Sequence, residues 1–226
     1  MSAPPAIAVT RLNHAFGVGE AERQVLFDVA LEIPRGALVV LMGASGSGKT
    51  TLLTLLGCLR EVQQGSVRVL GTELNDASEQ VMVALRRRFG FIFQAHNLHE
   101  SLTALQNVRM GLDVHGPAPG ADDAAAHVLR LLGLGERLDY KPRRLSGGQK
   151  QRVAVARALV GNPEVVFADE PTAALDKESG FEVVALLRRL AKQRGTTTLM
   201  VTHDTRILDL ADRIIVMEDG RVKEGG

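Results

Sequence analysis

Cysteine occurs once in this chain, at position 58, so no disulfide can form within it, and that scarcity fits a reducing compartment. Cys58 itself is expected on the apolar face of a helix, as a small buried hydrophobe. Also missing is any excess of charge. The 27 Lys and Arg against 26 Asp and Glu leave a formal net charge of +1, which excludes a global field drawing the protein onto nucleic acid or an anionic membrane. No stretch reaches the roughly eighteen consecutive apolar residues that suggest a membrane-crossing helix; Ala37 to Met42 is broken at once by Gly43. Met1-Ser2-Ala3-Pro4-Pro5 has no charged segment leading into an apolar run, so no secretory signal is expected. These absences predict a soluble, cytoplasmic protein whose membrane association, if any, comes through a protein partner. What is present fits a globular fold. Over 226 residues, 45% are apolar and 23% charged, enough for one large domain or two small ones around a substantial core.

The chain is organised around Gly43-Ala44-Ser45-Gly46-Ser47-Gly48-Lys49-Thr50. It follows the apolar run Leu38 to Met42 and precedes Thr51-Leu52-Leu53-Thr54-Leu55-Leu56, so it reads as a loop between a buried strand and an amphipathic helix. Two glycines five apart followed by Lys and a hydroxyl residue form the phosphate-loop pattern. Glycines at 43, 46 and 48 let successive N–H groups turn inward around an anion, and the following helix adds its own unpaired N–H groups and the positive end of its dipole. Lys49 suits the β- and γ-phosphates and the Thr50 hydroxyl suits Mg²⁺, which points to a nucleoside triphosphate with its metal. The competing reading is a Gly/Ser-rich turn that happens to carry a lysine.

Elsewhere, residues 7 to 10 and Phe27 to Ile33 alternate as half-buried strands, with Gly17, Gly19 and Pro34-Arg35-Gly36 as turns. Phe16 beside the first turn reads as a core or loop aromatic. Gly65 to Gly71 is a short strand, 78 to 88 a helix ending in the solvated Arg86-Arg87-Arg88, and Phe89 to Phe93 a strand closed by Gln94. The spacing turns helical from Leu102 to Leu112 and from Asp122 to Leu132, with a loop at His115 to Gly120 between. The middle of the chain is thus a helical insert of about sixty residues in a parallel-sheet core.

Leu145-Ser146-Gly147-Gly148-Gln149 opens another helix, with Ser146 placed as N-cap. The helix start can serve as an anion site or simply as a capped end. Val165 to Asp169 is a buried strand ending in Asp169-Glu170, at the sheet edge where ligands of α/β folds gather. There Asp169 can hold Mg²⁺ opposite Thr50 and Glu170 can take a proton from an attacking water; a solvated strand end is the alternative. A helix from about Glu178 to Gln193 breaks at Gly195, Thr198 to Val201 is a further buried strand, and His203 follows it at the same edge. Ile214 to Met217 and Arg221 to Lys223 read as a closing hairpin, and the tail Glu224-Gly225-Gly226 is uninformative.

Taken together these motifs resemble the nucleotide-binding subunit of ABC transporters, from about Ile7 to Lys223. Leu145 to Gln149 is identical to that family's signature sequence and stands in the family's order between the phosphate loop and the acidic pair. The resemblance implies an α/β fold: a phosphate-loop NTPase (RecA-like) core with a mainly parallel sheet, an antiparallel β subdomain and a helical insert. On this division 1–226 is a single ATPase domain, with 1–94 and 161–226 as catalytic core and about 95–160 as helical subdomain. It further implies that Phe16 stacks on adenine, that Gly43 through Lys49, Thr50 and Thr51 bind the triphosphate, and that Ala44 stands where many relatives carry Pro. By the same likeness Gln94 senses Mg²⁺ and the γ-phosphate, Glu170 is the catalytic base, His203 bonds the γ-phosphate, and Asp176 belongs to a loop crossing a dimer interface. Ser146, Gly147, Gly148 and Gln149 would contact ATP held by a second copy, closing two copies head to tail over two MgATP.

Phe16 to Gly19, Arg23 to Asp28, Phe93 to Leu98 and Ala173 to Lys177 are similar to the macrolide/lipoprotein-exporter branch, and closest to DevA-type ATPases of heterocyst glycolipid exporters. That likeness implies an integral membrane permease, a periplasmic adaptor, a docking groove along Ala95 to Met110, and a place on the cytoplasmic face of the inner membrane. His99-Glu100-Ser101 departs from it with polar residues where apolar ones are expected. The substrate would be amphipathic. The other function carried by this branch is a nucleotide-switched regulatory subunit of the cell-division type. A soluble ABC protein acting on DNA or ribosomes would need a coiled-coil insert or a second cassette.

Overall fold

The computed structural model describes residues 4–17, 19–114, 116 and 119–223. Met1, Ser2, Ala3, Val18, His115, Pro117, Ala118 and Glu224-Gly225-Gly226 lie outside them, so part of the loop expected at His115 to Gly120 does too. The chain runs β1 (Ile7–Phe16), β2 (Arg23–Ile33), β3 (Leu38–Met42), α1 (Lys49–Leu56), β4 (Gln64–Val69), β5 (Thr72–Glu73), α2 (Glu79–Arg86) and β6 (Phe89–Ile92). It continues α3 (Ala104–Asp113), α4 (Ala121–Leu131), α5 (Gly147–Leu159), β7 (Val165–Asp169), α6 (Lys177–Arg194), β8 (Thr197–Val201), β9 (Arg213–Glu218) and β10 (Arg221–Lys223).

A six-stranded sheet of order β10-β9-β3-β8-β7-β6 forms the centre, parallel throughout except for the β9–β10 hairpin. β3, β7 and β8 are covered on both faces, which is why they read as short unbroken apolar runs. Successive residues point to opposite sides. Val39, Leu41, Phe167, Leu199 and Val201 enter one core, shared with α1, α2 and a four-stranded antiparallel sheet of order β2-β1-β4-β5. Leu38, Val40, Val166, Ala168 and Met200 enter a second, shared with α3, α4, α5 and α6. Phe167 anchors the first, 5.2 Å from Phe89 edge-on and 5.7 Å from Phe91.

Four of the α-helices begin at side-chain caps, whereas α1 and α4 begin at Gly48 and Gly120. Ser78, Thr103, Ser146 and Asp176 each accept a backbone N–H from the first turn of α2, α3, α5 and α6, and Thr103 and Ser146 form capping boxes with Gln106 and Gln149.

Four expectations need correction. β1 does not stop at Thr10 but continues to Phe16, and β2 starts at Arg23 rather than Phe27. Both contain bulges, with Arg11 and Asp28 at positive φ, and each bulge breaks the alternation that marks a strand in sequence. Cys58 lies not on α1 but in the turn after it, at φ 57, and is nevertheless 2% exposed. β6 ends at Ile92, two residues before Gln94.

The loop between β6 and α3 is held by Asn107, fully buried on α3. Its Nδ2 donates to the carbonyls of His99, Leu102 and Thr103, and its Oδ1 accepts from His99 N at 2.7 Å. Asn107→Ala removes these bonds inside the second core and should lower the unfolding free energy by roughly 2 kcal/mol in urea titration. Burial pushes the Cys58 thiol up to about 11, so a thiol reagent at neutral pH should label the native protein far more slowly than the urea-unfolded chain, and the native rate should climb only as pH approaches that value.

Candidate nucleotide site

The loop after β3 is shaped by two close approaches. A Cβ on Gly43, at φ 148, would stand 2.1 Å from the Met217 carbonyl oxygen, and one on Gly48, at φ 95, 2.8 Å from Leu26 Cδ2. Only glycine fits at these two places. Gly48 is the N-cap of α1 and supplies no side chain to the first turn, whose N–H groups therefore stay open to an anion. Lys49 folds over the loop and donates from Nζ to the carbonyls of Gly43 at 2.8 Å and Ala44 at 2.7 Å, with Ser47 Oγ at 3.3 Å.

The acidic strand end lies opposite. Thr50 Oγ1 donates to Asp169 Oδ2 at 3.0 Å, bringing two hard oxygen ligands together at the start of α1. Burial raises the Asp169 carboxyl above its usual range, and Glu170 adds to this, while the Thr50 bond and Lys49 oppose it. Glu170 is a left-handed residue, φ 50, whose N–H donates to Val201 O at 2.9 Å. Its carboxylate takes His203 Nδ1 at 2.8 Å and the Thr202 hydroxyl at 3.4 Å. The His203 ring is largely exposed, and its Nε2 takes no part in the bond to Glu170.

These groups line one cleft of ≈ 920 Å³ with Phe16, Gly43, Ser45, Gly46, Thr51 and Gln94. One side of the Phe16 ring carries the Arg60 guanidinium, 4.9 Å from its centroid, and the buried His14 ring meets it edge-on at 5.0 Å. Burial, reinforced by Arg60, lowers the His14 pKa and keeps the ring neutral. Ala44 and Ser47 of the predicted loop are not among the lining residues; Ser47 is buried behind it.

Ser146, Gly147, Gly148 and Gln149 do not reach this cleft. They form the start of α5, where Ser146 Oγ accepts from Gln149 N and Gln149 Oε1 accepts from Ser146 N. Asp176 likewise stays outside it and caps α6 through Ser179. The far wall was missed by sequence reasoning: Arg23, Gln24, Val25 and Phe27 of β2, with Asp219 and Gly220 of the β9–β10 turn. The one available signal was glycine: Gly220 packs so close to Val25 that a Cβ would lie 2.2 Å from its carbonyl oxygen.

The site suits a nucleoside triphosphate: a glycine cradle, an uncapped helix start, one lysine and one aromatic platform. The described residues hold no group of three or more His, Cys, Asp or Glu able to bind a metal alone. The Thr50–Asp169 pair fits an ion completed by phosphate and water oxygens.

The chain belongs to the ABC transporter family, whose model, described as "ABC transporter", matches residues 26–173. It is similar to "Macrolide export ATP-binding/permease protein MacB 1" of Aeromonas hydrophila subsp. hydrophila, 47% identical over 220 residues covering 96% of this chain and 34% of that protein. To the MacB protein of Hahella chejuensis it is 46% identical, with the same coverage. The chain thus spans about a third of the length of these curated relatives. Among solved structures it is similar to the dimeric post-hydrolysis state of the ATP-binding cassette MJ0796 bound to ADP and Pi, with TM-score 0.90, 37% identity, and coverage of 96% of this chain and 97% of that one. The antiparallel sheet, mostly parallel central sheet and helical layer are those of an ABC ATPase cassette, as the sequence motifs imply. No helix among the described residues is long and apolar enough to cross a membrane.

Removing the Asp169 charge relieves a carboxylate that burial disfavours. Because its pKa is raised in the folded state, the stability it contributes is present at low pH and lost as pH rises through the folded value. Asp169→Asn should therefore raise the Tm of the nucleotide-free protein at neutral pH in differential scanning fluorimetry, while abolishing any further rise from Mg²⁺ added with ATP.

Proposed function

We propose that this protein is the motor of an ABC exporter: it hydrolyses MgATP as a head-to-tail dimer and thereby drives a membrane permease that exports or extracts an amphipathic molecule. The observation that carries this reading is the convergence of the lysine loop, the Thr50–Asp169 pair and the Glu170–His203 pair on a cleft that this chain's own Ser146 to Gln149 does not reach.

In this reading Phe16 offers its free face to adenine, and the N–H groups from Gly43 to Thr51 bind the triphosphate. Lys49 exchanges its two carbonyl partners for β- and γ-phosphate oxygens. Thr50 and Asp169, with Gln94, would hold Mg²⁺, which when bound neutralises phosphate charge and orients the terminal group. Glu170 accepts the proton of the water whose oxygen attacks the γ-phosphorus, while the bridging oxygen leaves with ADP. His203 steadies the Glu170 carboxylate through Nδ1 and turns its other nitrogen toward the γ-phosphate. Ser146 to Gln149 of a second copy seal the cleft, their glycines leaving helix N–H groups free for that phosphate, and Asp176 lies in the loop between the copies. Closure then depends on the γ-phosphate and relaxes after hydrolysis, the differential contact that a switch requires.

The whole chain, 1–226, acts as one ATPase domain, with about 95–160 as helical subdomain between core segments 1–94 and 161–226. The groove along Ala95 to Met110 receives the permease, placing the protein on the cytoplasmic face of the inner membrane, and a periplasmic adaptor completes the assembly. Similarity to proteins named for macrolide export supports this branch, and the dimeric state of the MJ0796 cassette supports the pairing. Glu170→Gln should cut ATP turnover by about 10²–10⁴-fold in a phosphate-release assay. It should leave ATP affinity intact and yield an ATP-dependent dimer in light scattering; unchanged turnover would remove Glu170 from its role.

A further inference from the structure

The backbone just beyond Gln94 is held in an unfavourable shape. His96 and Asn97 both take left-handed φ, 57° and 50°, a region that side-chain-bearing residues seldom enter and that two in succession enter more rarely still. Local bonding alone is modest: His96 N reaches Phe93 O at 3.2 Å and Asn97 N reaches Ala95 O at 2.5 Å. The grip comes from far along the chain. Arg157 of α5 donates from Nη2 to His96 O at 2.9 Å and from Nη1 to Asn97 O at 2.6 Å.

That guanidinium is half-buried, its pKa is lowered by desolvation, and it forms no ion pair among the described residues. A cation withdrawn from water without a counter-charge is costly unless its hydrogen bonds compensate, and the two carbonyls supply them. The planar fork of arginine spans both oxygens at once, which a lysine ammonium cannot do with the same rigidity. Two residues upstream of this clamp, Gln94 faces the nucleotide cleft; two to six residues downstream of it, the His99, Leu102 and Thr103 carbonyls are pinned to α3 by Asn107.

We infer that Arg157 is a positioning residue for Gln94: by clasping the His96 and Asn97 carbonyls it sets the turn that aims Gln94 into the cleft, and it fastens that turn to the helix that begins with Ser146 to Gln149. Displacing the segment after Gln94 would therefore carry α5 with it. The inference rests on the proposed role of Gln94 at the metal and the γ-phosphate.

The test uses the full-length protein, its Arg157→Lys variant, and Arg157→Lys combined with His96→Gly and Asn97→Gly, since glycine adopts left-handed φ without strain. Arg157→Lys should lower kcat about tenfold and raise the Mg²⁺ concentration giving half-maximal rate, while the Kd for ATP without Mg²⁺ stays within about twofold. The two glycines should restore most of the lost rate. Unchanged kcat and Mg²⁺ response in Arg157→Lys would overturn the inference. So would a parallel fall in ATP affinity and Tm that the glycines do not mend, because that marks a packing role only. Unaltered protein that binds ATP yet never turns it over would instead defeat the reading of Gln94 itself, and this inference with it.

Discussion

The parallel register at the centre of the sheet governs everything at the site. Leu41 stands opposite Val201, and Val201 opposite Asp169, across neighbouring strands. Three segments therefore leave the sheet at one level: the glycine loop after β3, the acidic pair at the end of β7 and the Thr202-His203 turn after β8. Ile92 pairs with Ala168 on the other side, which delivers Gln94 to the same edge. The Thr50–Asp169 bond crosses between two of these segments and exists because the strands are in step. A slip of one residue would turn the core side chains of β7 to the opposite layer and carry Asp169 away from Thr50.

Charge at this edge is arranged in opposition. Lys49 and Arg23 supply cations, while Asp169, Glu170 and Asp219 supply anions within the same cleft. Lys49 bonds to loop carbonyls and Asp169 to the Thr50 hydroxyl. Both arrangements are held by few bonds and can be given up to a triphosphate and its cation. The near-zero net charge of the chain leaves this local pattern as the principal electrostatic feature of the site.

Legibility in the sequence tracked the physics of each element. β3, β7 and β8 were plain because burial on both faces demands unbroken apolar runs. The phosphate loop was plain because its glycines, lysine and hydroxyl are each required, and Ser146 because a cap needs a short acceptor side chain. β1 and β2 were half-lost, since bulges at Arg11 and Asp28 erase the two-residue period. The far wall of the cleft was invisible: Arg23 and Asp219 come to one cleft through the packing of β2 against the β9–β10 hairpin, which has no local signature. Arg157 looked like one more basic residue in a helix because its partners lie about sixty positions away. The role proposed for Ser146 to Gln149 rests on likeness to a family, since in this chain they cap α5 and pack beside Ala174 and Leu175 outside the cleft.

Glu170 owes its position to backbone geometry as much as to chemistry. At φ 50, tied by its N–H to Val201, it occupies a conformation that β-branched side chains strongly resist. Valine, isoleucine or threonine at this position would therefore distort the strand end before any question of proton transfer arose, whereas asparagine or glycine would preserve the bend and forfeit only the carboxylate. The fold thus filters the acceptable side chains at position 170 by the shape of the main chain, ahead of any demand that chemistry makes there.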